Sequence, residues 1–148
     1  MLSFAEYARG EALKNAKNFK ILLFLSLFVF FHIFCAFADE LLLPAQEAMA
    51  LIEQNKGNDK FVILDLRSPD EYRQGHIEGA RSVNYYATNF QRMVSLLDRD
   101  ATILLYCQKG RQSTLAMRAM TKLGFSRMYI LDGGIEEWVR AGLPLAGP

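Results

Sequence analysis

Ile103-Leu104-Leu105-Tyr106-Cys107-Gln108-Lys109-Gly110-Arg111-Gln112-Ser113 runs from an apolar tetrad through a polar loop to the start of an amphipathic segment. The apolar residues are continuous rather than alternating, as in a strand buried on both faces. From Ser113 to Leu123, the residues Leu115, Ala116, Ala119, Met120 and Leu123 form one stripe, with Arg118 and Lys122 on a solvated face. That spacing predicts a helix, ended by Gly124. Strand, loop and helix in that order form a βα unit.

The same grammar extends to both sides. Upstream, Pro44 to Gln54 has helical spacing in Ala45, Ala48, Met49 and Ile52, and Asn55 to Asp59 makes a turn. Phe61 to Leu64 is a second apolar strand, followed by Ser68-Pro69-Asp70-Glu71, a helix start with Ser68 as cap. Gly75 and Gly79 bracket a loop around His76; Ala80 to Asn84 reads as a short strand and Thr88 to Leu97 as a helix capped by Thr88. Downstream, Met128 to Leu131 is a third apolar strand, Asp132-Gly133-Gly134 a tight turn, and Ile135 to Ala141 a last helix. Alternating buried strands and helices predict an α/β fold with a mainly parallel sheet flanked on both faces. In such sheets the site lies at the carboxyl ends of the strands, where Asp65, Arg67 and Cys107 fall.

The chain has 148 residues, 51% hydrophobic and 12% aromatic, with a formal charge of +1. That excludes a disordered or low-complexity chain and gives no reason to expect nucleic-acid binding. Two cysteines and two histidines offer neither a disulfide scaffold nor a zinc-binding spacing. No metal is expected.

The first 38 residues differ from the rest. Ile21 to Phe34 is almost wholly apolar, Arg9, Lys14, Lys17 and Lys20 precede it, and Ala36-Phe37-Ala38 follows. A basic flank, an apolar core and a small-residue site are the marks of a secretory signal peptide, here cleaved after Ala38. The alternative is a retained membrane anchor over residues 21–38, long enough for a thin bilayer. Cys35 follows bulky His32, Ile33 and Phe34, which argues against lipid modification, and a run with no polar face argues against a buried helix of the fold. The expectation is an exported chain, periplasmic or in the cell envelope, with residues 39–148 as one domain. That domain keeps a single cysteine, Cys107, and a single histidine, His76.

A cysteine at a strand-to-helix turn faces unpaired backbone N–H groups and the positive end of a helix, and both favour the anionic, nucleophilic sulfur. The same nest suits a bound oxyanion or a persulfide. Lys109 and Arg111 add positive charge, and Gly110 lets the backbone curl. A buried apolar cysteine at a strand end is the structural alternative.

Phe61 to Tyr72 with Gly75-His76-Ile77-Glu78-Gly79-Ala80 resembles the N-terminal signature of rhodanese domains, roughly D-x-R, E-[FY], G-H-I-x-G-A. Asp132-Gly133-Gly134-Ile135 with Trp138 and Gly142-Leu143-Pro144 resembles their C-terminal signature, and Cys107 lies where that family carries its sulfur-accepting cysteine. The resemblance spans about residues 41–145. It implies a five-stranded, mainly parallel sheet and a sulfurtransferase with no cofactor. Cys107 would take the outer sulfur of thiosulfate or a related donor and pass it to cyanide or a thiol, or to a protein acceptor. Gln108, Lys109, Gly110, Arg111, Gln112 and Ser113 would cradle the persulfide. Asp65 and Arg67 would tie the surrounding loops, and His76 would fix its own loop, since transfer from a thiolate needs no general base. Trp138 reads as core.

This chain departs from the family pattern C-x-x-G-x-R-S at one point. Arginine comes one place early, as Arg111, and Gln112 stands where arginine is common. The departure implies a donor other than thiosulfate, or slow turnover with it. Rival readings are weaker. A phosphatase of related fold needs C-x5-R, and that position holds Ser113; a thiol oxidoreductase needs a second cysteine; a non-catalytic binding module usually lacks the cysteine that is present here.

Overall fold

A computed structural model describes residues 42–147. The expected signal peptide, residues 1–38, and its alternative as an anchor lie outside the described residues. Ten elements follow one another: β1 (Leu42–Leu43), α1 (Ala45–Gln54), β2 (Phe61–Asp65), α2 (Pro69–Gln74), β3 (Arg81–Ser82), α3 (Phe90–Ser95), β4 (Thr102–Tyr106), α4 (Arg111–Lys122), β5 (Met128–Leu131) and α5 (Gly134–Arg140). The strands form one sheet in the order β1-β5-β4-β2-β3, and every pairing is parallel. The expected α/β architecture is the one observed. Among the described residues no helix is long and apolar enough to cross a membrane.

The continuous apolar runs are explained by burial on both faces. Successive side chains of a strand point to opposite sides. In β4, Ile103 and Leu105 join Val94 of α3 and Ala116 and Met120 of α4 on one face. Leu104 and Tyr106 join Ala45 and Ala48 of α1 and Ile135 and Trp138 of α5 on the other. The register is fixed because a slip of one residue would exchange the two cores. It aligns Asp65 with Tyr106, so β2 and β4 end level and deliver their next residues to one edge.

Several boundaries differ from the periodicity. Helix α4 begins at Arg111, two residues before Ser113, because Gly110 adopts φ +94° and turns the chain directly into it. Helix α3 is preceded by Asn89 rather than Thr88, with no side-chain cap, and stops at Ser95. Leu115 stands at the margin of its stripe and is 37% exposed. The strand expected over Ala80 to Asn84 pairs only at Arg81 and Ser82. β1 has two residues, too short for any periodicity to reveal.

Ser68 caps α2 as the sequence indicates: its hydroxyl accepts the Glu71 N–H, and the Glu71 carboxylate accepts the Ser68 N–H at 3.0 Å and its hydroxyl at 2.6 Å. The Ser68 hydroxyl and then its backbone N–H hold the Glu71 carboxyl below its ordinary value of 4.5. A depressed folded value stabilises the fold above the unfolded value, and the gain is lost as pH falls through the folded one. Ser68→Ala is therefore expected to cost about 1 kcal/mol at pH 7. Denaturant titration at descending pH should find the gap to the parent narrowing below about pH 4. A gap independent of pH would place the cost elsewhere.

Candidate active site

Three loops meet at the carboxyl edge of the sheet. After β2 come Leu66 and Arg67; after β4 comes Cys107; after β5 come Asp132 and Gly133, leading into α5. Cys107 is 2% exposed and lies among the apolar residues on the α4 side. Its Sγ accepts the Gly110 N–H at 3.1 Å, so the loop curls back on the sulfur. Thr114 N–H and Oγ1 both bond the Gly110 carbonyl, at 3.1 and 3.2 Å, and begin the ladder of α4 there. The twelve-residue helix thus starts four residues beyond Cys107, with its positive end at the loop.

The loop is held from the other side by α5. The Ile135 N–H bonds the Cys107 carbonyl at 2.9 Å, and the Glu136 N–H bonds the Gln108 carbonyl at 3.3 Å. Donors at a helix start have no partner within the helix, and here the cysteine loop supplies them. This contact requires Gly134. A Cβ there would lie 2.4 Å from the Cys107 carbonyl oxygen and 2.6 Å from that of Gln108, and its φ is +62°. The double glycine of Asp132-Gly133-Gly134 is therefore a docking surface for the loop as well as a turn.

The remaining site residues sort by position. Gln108 and Lys109 are exposed and both face Glu136: Gln108 Nε2 donates at 3.1 Å and Lys109 Nζ lies at 3.6 Å. Arg111 is exposed at the first position of α4, and Gln112 beside it is half-buried. Ser113 is fully buried, and its Oγ is the buried side-chain oxygen or nitrogen without a partner among the described residues. An unpaired buried hydroxyl costs about 1–3 kcal/mol, and this one lies in the first turn of α4.

Asp65 and Arg67 form a buried pair beneath these loops. Arg67 Nη2 lies 2.6 Å from Asp65 and also donates to the Gly75 carbonyl at 2.7 Å; the Arg67 N–H bonds Asp65 at 2.9 Å. Burial opposes the charge on Arg67, but the Asp65 hydrogen bonds and its negative charge outweigh burial and hold the guanidinium above its ordinary value. The Tyr106 hydroxyl accepts the Ile77 N–H at 3.1 Å. Burial, and after it the Asp65 carboxylate, pushes this phenol far up, so it stays protonated. His76 is tied locally: its ring stacks on Tyr72 at 3.8 Å, Nδ1 meets the Tyr72 carbonyl at 3.0 Å, and its backbone pairs with Ala146. Among the described residues no cluster of three or more His, Cys, Asp or Glu is placed to hold a metal.

The sequence model of the rhodanese-like domain matches residues 45–141. The chain belongs to the rhodanese-like domain family. Thiosulfate sulfurtransferase GlpE of Pseudomonas fluorescens is 35% identical over 96 residues, 65% of this chain and 82% of that protein. The solution structure of the rhodanese-like domain of Alr3790 from Anabaena is 27% identical with a TM-score of 0.60, and the match covers 73% of this chain and 80% of that one. A structure from Rhodopseudomonas palustris, described as a protein of unknown function and possible tyrosine phosphatase, is 29% identical with a TM-score of 0.54, over 70% of this chain and 83% of that one.

Within this rhodanese-like domain the cysteine loop and Gly134 form one unit. Glu136 completes that unit, and loop periodicity in sequence gives no sign of it. Two alanine substitutions separate backbone strain from the close approach. Gly79 has φ +77° with nothing within 4 Å of a Cβ, so Gly79→Ala should cost only about 1–2 kcal/mol. Gly134→Ala adds a backbone clash to the same strain and should cost at least about 2 kcal/mol more. Denaturant melts of both variants check this; equal losses would mean that the loop yields freely.

Proposed function

We propose that this rhodanese-type sulfurtransferase carries sulfane sulfur as a persulfide on Cys107, taking it from thiosulfate or a related donor. The observation that carries the reading is the sulfur's position: Cys107 Sγ receives a backbone N–H at 3.1 Å where the loop enters a twelve-residue helix. Fixed donors of this kind need no rearrangement to hold a negatively charged sulfur.

The chemistry balances without a cofactor. The Cys107 thiolate attacks the outer sulfur of thiosulfate and forms an S–S bond. The bond from that sulfur to the sulfonate breaks, and its electron pair leaves with sulfite. A thiolate or cyanide then attacks the outer sulfur of the persulfide and restores the thiolate. Two covalent half-reactions imply ping-pong kinetics. Gln108 to Ser113 form the cradle in this reading, with the Ser113 hydroxyl as one of its donors. Asp65 and Arg67 hold the floor, and His76 fixes its loop, since both its backbone and its Nδ1 are engaged. The buried sulfur favours a slender donor or acceptor that approaches end-on.

Phosphate-monoester hydrolysis is the other chemistry this fold carries in the C-x5-R pattern. Ser113 stands at the arginine position, with its hydroxyl buried, so no guanidinium is there to clamp a phosphate. Export to the cell envelope is part of the proposal and rests on the basic flank, the apolar run and Ala36-Phe37-Ala38.

Intact mass of the chain, recovered from cells that produce its full length, tests both parts. A chain beginning at Asp39 is expected. Thiosulfate should add one sulfur, cyanide should remove it, and Cys107→Ser should gain none while melting like the parent. Failure of thiosulfate and of other sulfane donors to add sulfur would leave a binding module. A further variant addresses the displaced arginine: Gln112→Arg should raise kcat/KM for thiosulfate about threefold to tenfold through a charge-assisted hydrogen bond. An unchanged value would mean that Gln112 does not face the donor.

A further inference from the structure

We infer that Glu136 sets the charge of the sulfur donor that Cys107 accepts, an inference that rests on the sulfur-transfer reading above. Glu136 is the third residue of α5, and it touches the cysteine loop three times. Its N–H bonds the Gln108 carbonyl at 3.3 Å, its Oε1 accepts Gln108 Nε2 at 3.1 Å, and its Oε2 pairs with Lys109 Nζ at 3.6 Å. Both side chains that directly follow the nucleophile are thus directed to a carboxylate on another helix.

This changes the electrostatics expected from the sequence. The loop brings two cations, Lys109 and Arg111, and Glu136 neutralises the first. An open groove of about 580 Å³ adjoins the loop and is lined by Arg67, Glu71, Gln108, Glu136, Val139 and Arg140 among others. Its basic groups are matched as well: Arg67 by Asp65, and Arg140 by Glu137. Glu71 adds one more carboxylate. With Lys109 held by Glu136, Arg111 is the one cation of the loop left to offset the charge of an incoming dianion. A donor or acceptor of lower negative charge meets less opposition. Glu136 acts on the reaction through position and field, and it makes no bond to the transferred sulfur.

The charge dependence can be read with two donors that differ by one unit. Thiosulfate is a dianion that releases sulfite; methanethiosulfonate is a monoanion that releases methanesulfinate. In both, the Cys107 thiolate takes the terminal sulfur and the electron pair leaves with the oxidised fragment. The rate of sulfur gain on Cys107, followed by intact mass on the full chain, reports the first half-reaction alone. Removing one elementary charge beside the loop in water-like surroundings changes such a rate about threefold per unit of donor charge. Glu136→Gln should load from thiosulfate about tenfold faster and from methanethiosulfonate about threefold faster, and added salt should shrink both gains. Glu136→Asp should keep the parent's ratio of the two donors. Lys109→Met should shift that ratio the opposite way, and Lys109→Met combined with Glu136→Gln should restore it, which a misfolded single variant would not do. Equal changes for the two donors, or none, would overturn the inference while the parent still loads. A parent that neither donor loads would overturn the sulfur-transfer reading and this inference with it.

Discussion

The bond from the Ile135 N–H to the Cys107 carbonyl, made possible by a residue with no side chain at Gly134, governs the geometry of the site. It forces the main chain of α5 onto the cysteine loop. Two helices then meet the same loop from opposite sides. α5 takes the carbonyls of Cys107 and Gln108, while Gly110, which caps α4, gives its N–H to the sulfur. The carbonyls on one side and the donor on the other are fixed by neighbours that belong to the rigid part of the fold. Nothing at position 134 other than hydrogen on the α-carbon fits this arrangement.

The floor beneath the loop has the same character. Arg67 is buried with its charge intact because Asp65 meets it with two oxygens and the Gly75 carbonyl takes a further N–H. Isolated burial of such a charge would be prohibitive, and a buried pair is seldom a net source of stability. Its value here is geometric: one side chain joins the end of β2 to the loop that follows α2. Tyr106 extends the tie through Ile77, and Tyr72 bonds the Ala80 carbonyl at 2.7 Å. The loop around His76 is thereby fastened to two strands and one helix.

Much of this is legible in sequence, for reasons particular residues make plain. Phe61 to Leu64, Ile103 to Tyr106 and Met128 to Leu131 are continuous apolar runs because each strand faces two cores. Ser68-Pro69-Asp70-Glu71 declares its helix because capping chemistry is local. The start of α4 is less legible, since Gly110 and not a polar cap makes the turn, and side-chain periodicity begins only at Ser113. β1 escapes because two residues carry no pattern. Glu136 escapes for a different reason. Its contact with Gln108 and Lys109 spans 28 residues of sequence in the first case, and no local rule predicts which surface carboxylate will meet which loop cation. Family motifs locate Cys107 and Gly134 separately; only the fold shows that one sits on the other.

The depth of Cys107 has a consequence for association between copies of the chain. A disulfide needs the two sulfurs about 2 Å apart and their α-carbons within about 7 Å. Two Cys107 residues that are each 2% exposed, in loops flanked by Gln108 and Lys109, cannot bring their sulfurs so close without opening both domains. Pairing of Cys107 with the Cys107 of another copy is therefore opposed by shape, even where the surroundings are oxidising. In the proposed reaction the acceptor thiol would have to be carried on a narrow projecting segment or on a small molecule. On that proposal the cross-section of the incoming thiol separates productive exchange from accidental cross-linking.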